Sequence, residues 1–105
     1  MIVVIFEVQP TELGASRYFD LAAELRPELE KQDGFISIER FESLVMPGKF
    51  VSISYWRDEA AVVEWRGHDG HAAAQALGKN ELFADYRIMV AQALRVYGPM
   101  GAEKE

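Results

Sequence analysis

Two runs rich in β-branched and aromatic residues, IVVIFEV at 2–8 and YRIMVAQALRVYG at 86–98, carry apolar side chains on both parities. Val4, Phe6 and Val8 alternate with Val3 and Ile5, and Tyr86, Ile88 and Val90 alternate with Met89 and Ala91. Successive side chains of a strand point to opposite faces, so a sheet built from these runs is apolar on both. Two helices cover one face of a small antiparallel sheet. The other would leave exposed an apolar area that soluble monomers rarely tolerate. The expected cover is a second copy of the chain, a homodimer through the sheet burying on the order of 2,000 Å² or more.

The segments between fill in the order. After Pro10, Thr11 can cap a helix in which Tyr18, Leu21, Ala22, Leu25 and Leu29 recur at helical spacing to about Lys31. Pro27 lies inside that pattern and should kink the helix or tighten its last turns. QDGF is a turn, FISIERFESL at 35–44 a second strand, and MPGK a Pro-Gly turn into a third, FVSISYW at 50–56. Asp58 opens the helix DEAAVVEWRG, which Gly67 and Gly70 interrupt. A short helix, HAAAQAL, runs to Gly78, residues 79–85 are a loop or further turn, and 86–98 form the last strand. The order β-α-β-β-α-β is the split βαβ arrangement of an α+β, ferredoxin-like fold with a four-stranded antiparallel sheet.

Bulk properties bound the function. A chain of 105 residues makes one domain, here 1–98, followed by a flexible tail, 99–105. A net charge of −6 argues against a phosphate backbone or an anionic membrane as partner. With no cysteine there are no disulfides, thiolate nucleophiles or cysteine metal ligands. No apolar run approaches the roughly 18 residues that span a bilayer. The apolar N-terminus lacks a basic leader and a small-residue cleavage site, so it reads as a strand and the expected compartment is the cytoplasm. No dinucleotide, phosphate-loop or nucleophile-elbow signature appears, which argues against a nicotinamide or ATP enzyme.

Three stretches carry a resemblance. GFISIERFES, GKFVSISYWRDEAAVVEWRGHDGHAAAQ and FADYRIMVAQALRVYG are similar to the second strand, the strand–helix segment with its tryptophan and histidine, and the closing strand of the antibiotic biosynthesis monooxygenase family. The resemblance covers about residues 2–98 and implies a dimeric α+β barrel, with a pocket in each subunit between the helices and the concave sheet. It specifies fold more sharply than chemistry, because the family includes cofactor-free oxygenases of aromatic polyketides, quinol oxygenases, haem-degrading oxygenases and members with no known reaction.

Both histidines lie in WRGHDGH, residues 65–71. A metal shell needs three or four ligands, and two glycines within this stretch argue against a rigid helical pair, so no metal site is expected. The resemblance places His71 at the start of a helix facing the pocket. There a neutral imidazole can act as general base towards a phenol or quinol. Trp65 is expected in the pocket wall, with Phe6, Tyr55, Phe83 and Tyr86 as further ligand-binding candidates. His68 is expected to be mostly exposed. Glu7, in an otherwise apolar strand, should pair with an arginine across the sheet, Arg40 or Arg87. Arg57 and Asp58 are expected to form a turn and a helix start.

The leading expectation is a cofactor-free monooxygenase acting on a small aromatic or quinol. The first alternative is a haem-binding or haem-degrading oxygenase with His71 on the iron. Haem-degrading relatives also use a first-strand asparagine, where this chain has Phe6 and Glu7; its only asparagine is Asn80. The second alternative is a non-catalytic stress protein whose pocket only sequesters a small ligand.

Overall fold

The computed structural model describes residues 1–68 and 82–102. Its elements are β1 (Ile2–Pro10), α1 (Ala15–Lys31), β2 (Phe35–Glu42), β3 (Phe50–Trp56), α2 (Glu59–Arg66), β4 (Phe83–Gln92) and a four-residue helical turn, α3 (Pro99–Ala102). The strands form one sheet in the order β2-β3-β1-β4, with every adjacent pair antiparallel. This is the ferredoxin-like α+β arrangement that the sequence order predicts. No helix among the described residues is long and apolar enough to cross a membrane.

The β2–β3 hairpin closes through the Pro-Gly turn. Lys49 N–H donates to the Met46 carbonyl at 3.0 Å, and Gly48 takes φ +90°, the backbone a type II turn requires at its third residue. Asp58 caps α2: its carboxylate accepts from the Ala61 N–H at 3.0 Å.

Several boundaries differ from the sequence expectation. Thr11 does not cap α1; its hydroxyl accepts from Gly14 N–H in the preceding turn, and Gly14 itself occupies the cap position. A side chain there would collide with the neighbouring chain, since a Cβ on Gly14 would stand 2.7 Å from the Leu82 carbonyl oxygen. Pro27 is accommodated within α1, and the helix closes on a tight bond from Gln32 N–H to the Leu29 carbonyl. The second strand stops at Glu42, two residues short of Leu44.

The last strand is shifted, running from Phe83 to Gln92 and not from 86 to 98. Its partner explains both ends. β1 offers ladder positions only from Ile2, opposite Gln92, to Pro10, opposite Phe83. Beyond these, Leu94, Val96 and Tyr97 lie exposed despite an apolar pattern that reads as strand. Periodicity reports the side chains, but the neighbour fixes the length. Where composition predicts an irregular tail, Pro99–Ala102 is helical. The short helix expected at 71–77 lies outside the described residues.

Two buried clusters hold α1 and α2 to one face of the sheet. Leu29, Trp56, Ala61, Val62 and Trp65 pack at one end; Val8, Tyr18 and Leu82 pack at the other, with Phe6, Phe19, Phe50 and Phe83 around them. Trp56 Nε1 donates to Ser54 Oγ at 2.9 Å, which satisfies a buried indole.

Candidate functional site

Between α1, α2 and the sheet lies a cavity of about 900 Å³. Its floor is one parity of the strands: Val4 and Phe6, Ser52, Ser54 and Trp56, Ile38 and Arg40, and Tyr86, Ile88 and Val90. Its roof is the α1 stripe, including Leu21, Ala22, Leu25 and Leu29, with Val62 and Trp65 from α2. The helical spacing of those leucines therefore serves a hollow as well as a packed core, and Leu21, Ala22 and Leu25 remain only half-buried.

One end of the cavity is aromatic. The Phe6 ring centroid is 5.6 Å from that of Phe83 and 6.3 Å from that of Tyr86, and Tyr18 meets Phe83 edge-on at 5.4 Å. Tilted rings at these distances form a stable wall that presents faces and edges to a flat ligand.

Of the candidates from the sequence, Phe6, Trp65, Phe83 and Tyr86 line this cavity. Tyr55 does not. Its neighbours Ser54 and Trp56 point inward and are buried, so alternation sends Tyr55 to the opposite face, where it is 36% exposed. His71 lies outside the described residues. His68 is less exposed than expected: its side chain keeps 32% of its surface, its ring centroid is 4.7 Å from that of Trp65, and Nε2 stands 3.8 Å from Glu28 Oε2 on α1. It thus stands beside Trp65 of α2 and near Glu28 of α1. Among the described residues no histidine lines the cavity and no cluster of three or more ligating groups could hold a metal.

The charged residues are placed by the sheet. Glu7 points away from the cavity and pairs with Arg87, its cross-strand partner, and with Lys49 at 3.4 Å. The hydrogen bond from Arg87 holds its carboxyl below the ordinary value, against an opposing effect of desolvation. Arg40 is not a partner of Glu7, because it faces the cavity. Its Nε donates to the Tyr18 hydroxyl at 3.3 Å. Arg57 grips Asp33 through two bonds of 3.1 Å and Asp58 through one of 3.0 Å; these lower both carboxyls, Asp58 being lowered first by its bond from Ala61 N–H. That cluster is exposed and anchors the turn before β2.

Tyr18, Phe19 and Arg40 are among the cavity residues not expected there from the sequence. Tyr18 was legible only as part of a core stripe. Arg40 shares a parity with Ile38, and a cation on the inward parity of a strand was the available signal.

Residues 1–77 match the family model for antibiotic biosynthesis monooxygenase. The chain belongs to this family. Jasmonate monooxygenase ABM of Pyricularia oryzae is 42% identical over 92 residues, which are 88% of this chain and 43% of that protein. YqjZ of Bacillus subtilis, an uncharacterized protein, is 31% identical over 81 residues, 77% of this chain and 63% of that one. The chain thus spans less than two thirds of either relative. A Deinococcus radiodurans protein solved as a candidate antibiotic biosynthesis monooxygenase superposes with a TM-score of 0.83 at 20% identity, covering 96% of this chain and all of that one. At that identity the likeness establishes the shared fold.

Proposed function

We propose that the protein is a monooxygenase of this family that oxidises a small aromatic or quinol-like compound in the cavity between helices and sheet. The observation that carries this reading is the aromatic-walled hollow of about 900 Å³ with Trp65 in its roof, within the size range of ligand sites. The relative named as a jasmonate monooxygenase supports oxygen insertion into a small organic molecule.

No cofactor is required in this reading. A methylene activated by flanking aryl and carbonyl groups loses a proton to a base, and the resulting carbanion gives its electrons to dioxygen. The methylene becomes a carbonyl and the second oxygen atom leaves as water. The protein supplies a water-poor, aromatic surrounding for the anion, and His71 is the proposed base. The functional unit is proposed to be a homodimer, its second copy covering the outer face of the sheet.

The test is oxygen uptake over a panel of anthrones and quinols. Turnover is expected with at least one of them, lost in His71→Ala and largely retained in His68→Ala. Inertness across the panel would overturn the catalytic reading and leave a ligand-binding module. A haem titration followed by absorbance separates the haem alternative, and no Soret shift dependent on His71 is expected.

A further inference from the structure

Arg40 occupies a position that the proposed chemistry leaves unused. On β2, Ile38 and Arg40 face the cavity and Phe41, of the other parity, pairs with the outer-face residue Val51; Glu39, opposite Ile53 and exposed, also borders the cavity lining beside Arg40. The Arg40 guanidinium carbon lies 5.4 Å from the Tyr18 ring centroid and 5.9 Å from that of Phe19, against the aromatic end of the cavity. Its Nε is taken by the Tyr18 hydroxyl. Stacking and that bond fix the orientation of the guanidinium plane.

The terminal nitrogens have no such partner. Among the described residues no carboxylate lies within 4.0 Å of Arg40, whereas Arg26 on the same lining is paired with Glu30 at 3.6 Å. Arg66, the third lining cation, sits in the last turn of α2, where it complements the helix dipole. A chain of net charge −6 repels anions in general, so an acidic ligand needs a local cation to enter. Arg40 is exposed, which sets it at the mouth of the cavity with the apolar hollow behind it.

We propose that the cavity takes a ligand with an apolar ring body and a carboxylate, and that the two terminal nitrogens of Arg40 bind that carboxylate at the mouth. This would orient the ring inward, against Phe6, Phe83 and Tyr86. The fork of a guanidinium matches the two oxygens of a carboxylate better than the single oxygen of a phenolate, so the preference is for acids. The inference deepens the proposed function and rests on this cavity being its ligand site.

The test compares 2-naphthylacetate with its neutral isostere 2-naphthylacetamide by titration calorimetry on the full chain. The acid is expected to bind about fivefold to tenfold more tightly than the amide, the range of one partly exposed charge-assisted pair. Arg40→Met, which keeps an apolar stem over the rings, should abolish that preference by weakening the acid far more than the amide, and continued binding of the amide reports an intact cavity. Arg40→Lys should retain part of the preference, and Arg66→Met all of it. Equal binding of acid and amide by the unaltered protein overturns the carboxylate anchor while the cavity reading stands. Binding of neither overturns both. A preference that survives Arg40→Met, or that disappears in Arg66→Met, removes Arg40 from the role.

Discussion

Tyr55 and Trp56 are neighbours on β3 and meet opposite surroundings. Trp56 is 3% exposed beneath the helices with its indole N–H bonded to Ser54; Tyr55 is 36% exposed on the outer face. The same contrast runs through the whole sheet. Inward, Phe6 lies opposite Ser52 and Ile88 around a hollow roofed by helices. Outward, Ile5 lies between Ile53 and Met89, and Val3 between Tyr55 and Ala91. This second row is as apolar as the first, with Phe41 and Met89 left 43% and 44% exposed. Its polar members include the Glu7–Arg87 pair and, on β2, Ser37 and Glu39 opposite Tyr55 and Ile53. The inner face has the features of a ligand site: a hollow, aromatic walls and one oriented cation. The outer face has the features of an interface, an apolar strip of Val3, Ile5, Ile53, Tyr55 and Met89 with no helix among the described residues packed over it. One strand sequence thus presents two different faces, and its two parities can be perturbed separately.

The largest expected effect separates those parities. Trp56→Ala should lower stability by about 3–5 kcal/mol in urea unfolding, the usual cost of emptying a large buried aromatic site. Tyr55→Ala should cost less than about 1.5 kcal/mol at protein concentrations low enough to hold single chains. Equal costs would break the contrast. Next in size is assembly. Sedimentation is expected to show a dimer, and Ile53→Asp, which sets an unpaired charge in the centre of the outer face, should weaken it by about 100-fold, roughly 2.7 kcal/mol. A stable species of about the 11.9 kDa monomer mass at micromolar concentration, in the unaltered protein, would remove the interface role. Smaller again is the cap of α2, which roofs the hollow. Asp58→Ala should cost about 1 kcal/mol by the same urea assay, through the bond lost from Ala61 N–H.

The elements visible in the sequence were those whose signal is local. Alternation in β1 and β3, the Pro-Gly turn, the acidic start of α2 and the leucine stripe of α1 all follow from neighbouring residues, and all appear. What was misplaced depends on distant partners. The ends of β4 are set by β1, and the start of α1 by the approach of Leu82 to Gly14, neither of which a local pattern contains. The site followed the same rule. Phe6, Trp65, Phe83 and Tyr86 reach the cavity because their parity or helix face was readable. Tyr55 was a candidate by its aromatic character, and its parity places it on the outer face, away from this cavity. Glu7 was correctly given an arginine partner, but choosing Arg87 over Arg40 required the register. His68 looked exposed because its two neighbours, Trp65 and Glu28, lie on different helices.

The smallest effect, a pH dependence, also distinguishes the two faces. On the outer face the hydrogen bond from Arg87, aided by Lys49, holds the Glu7 carboxyl below its ordinary value of 4.5. A carboxyl lowered in the folded state stabilises the fold fully above its unfolded value. The contribution fades as pH falls from there through the folded value. Glu7→Gln should therefore be less stable than the unaltered protein at neutral pH, and the gap should close on acidification below about 4.5. Asp33 and Asp58, lowered by their bonds to Arg57 and, for Asp58, Ala61, shift in the same sense, so both proteins lose stability in acid and only the gap reports Glu7. With the outer face open to water, salt screens the pair and the gap at neutral pH should be small and shrink further in high salt. With a second copy over that face the pair is drier, and the gap should grow with protein concentration. Thermal unfolding of both proteins from pH 7 to pH 3, at low and high concentration, measures this. A gap that is unchanged or widens in acid would mean that Glu7 is held by something other than its two cations.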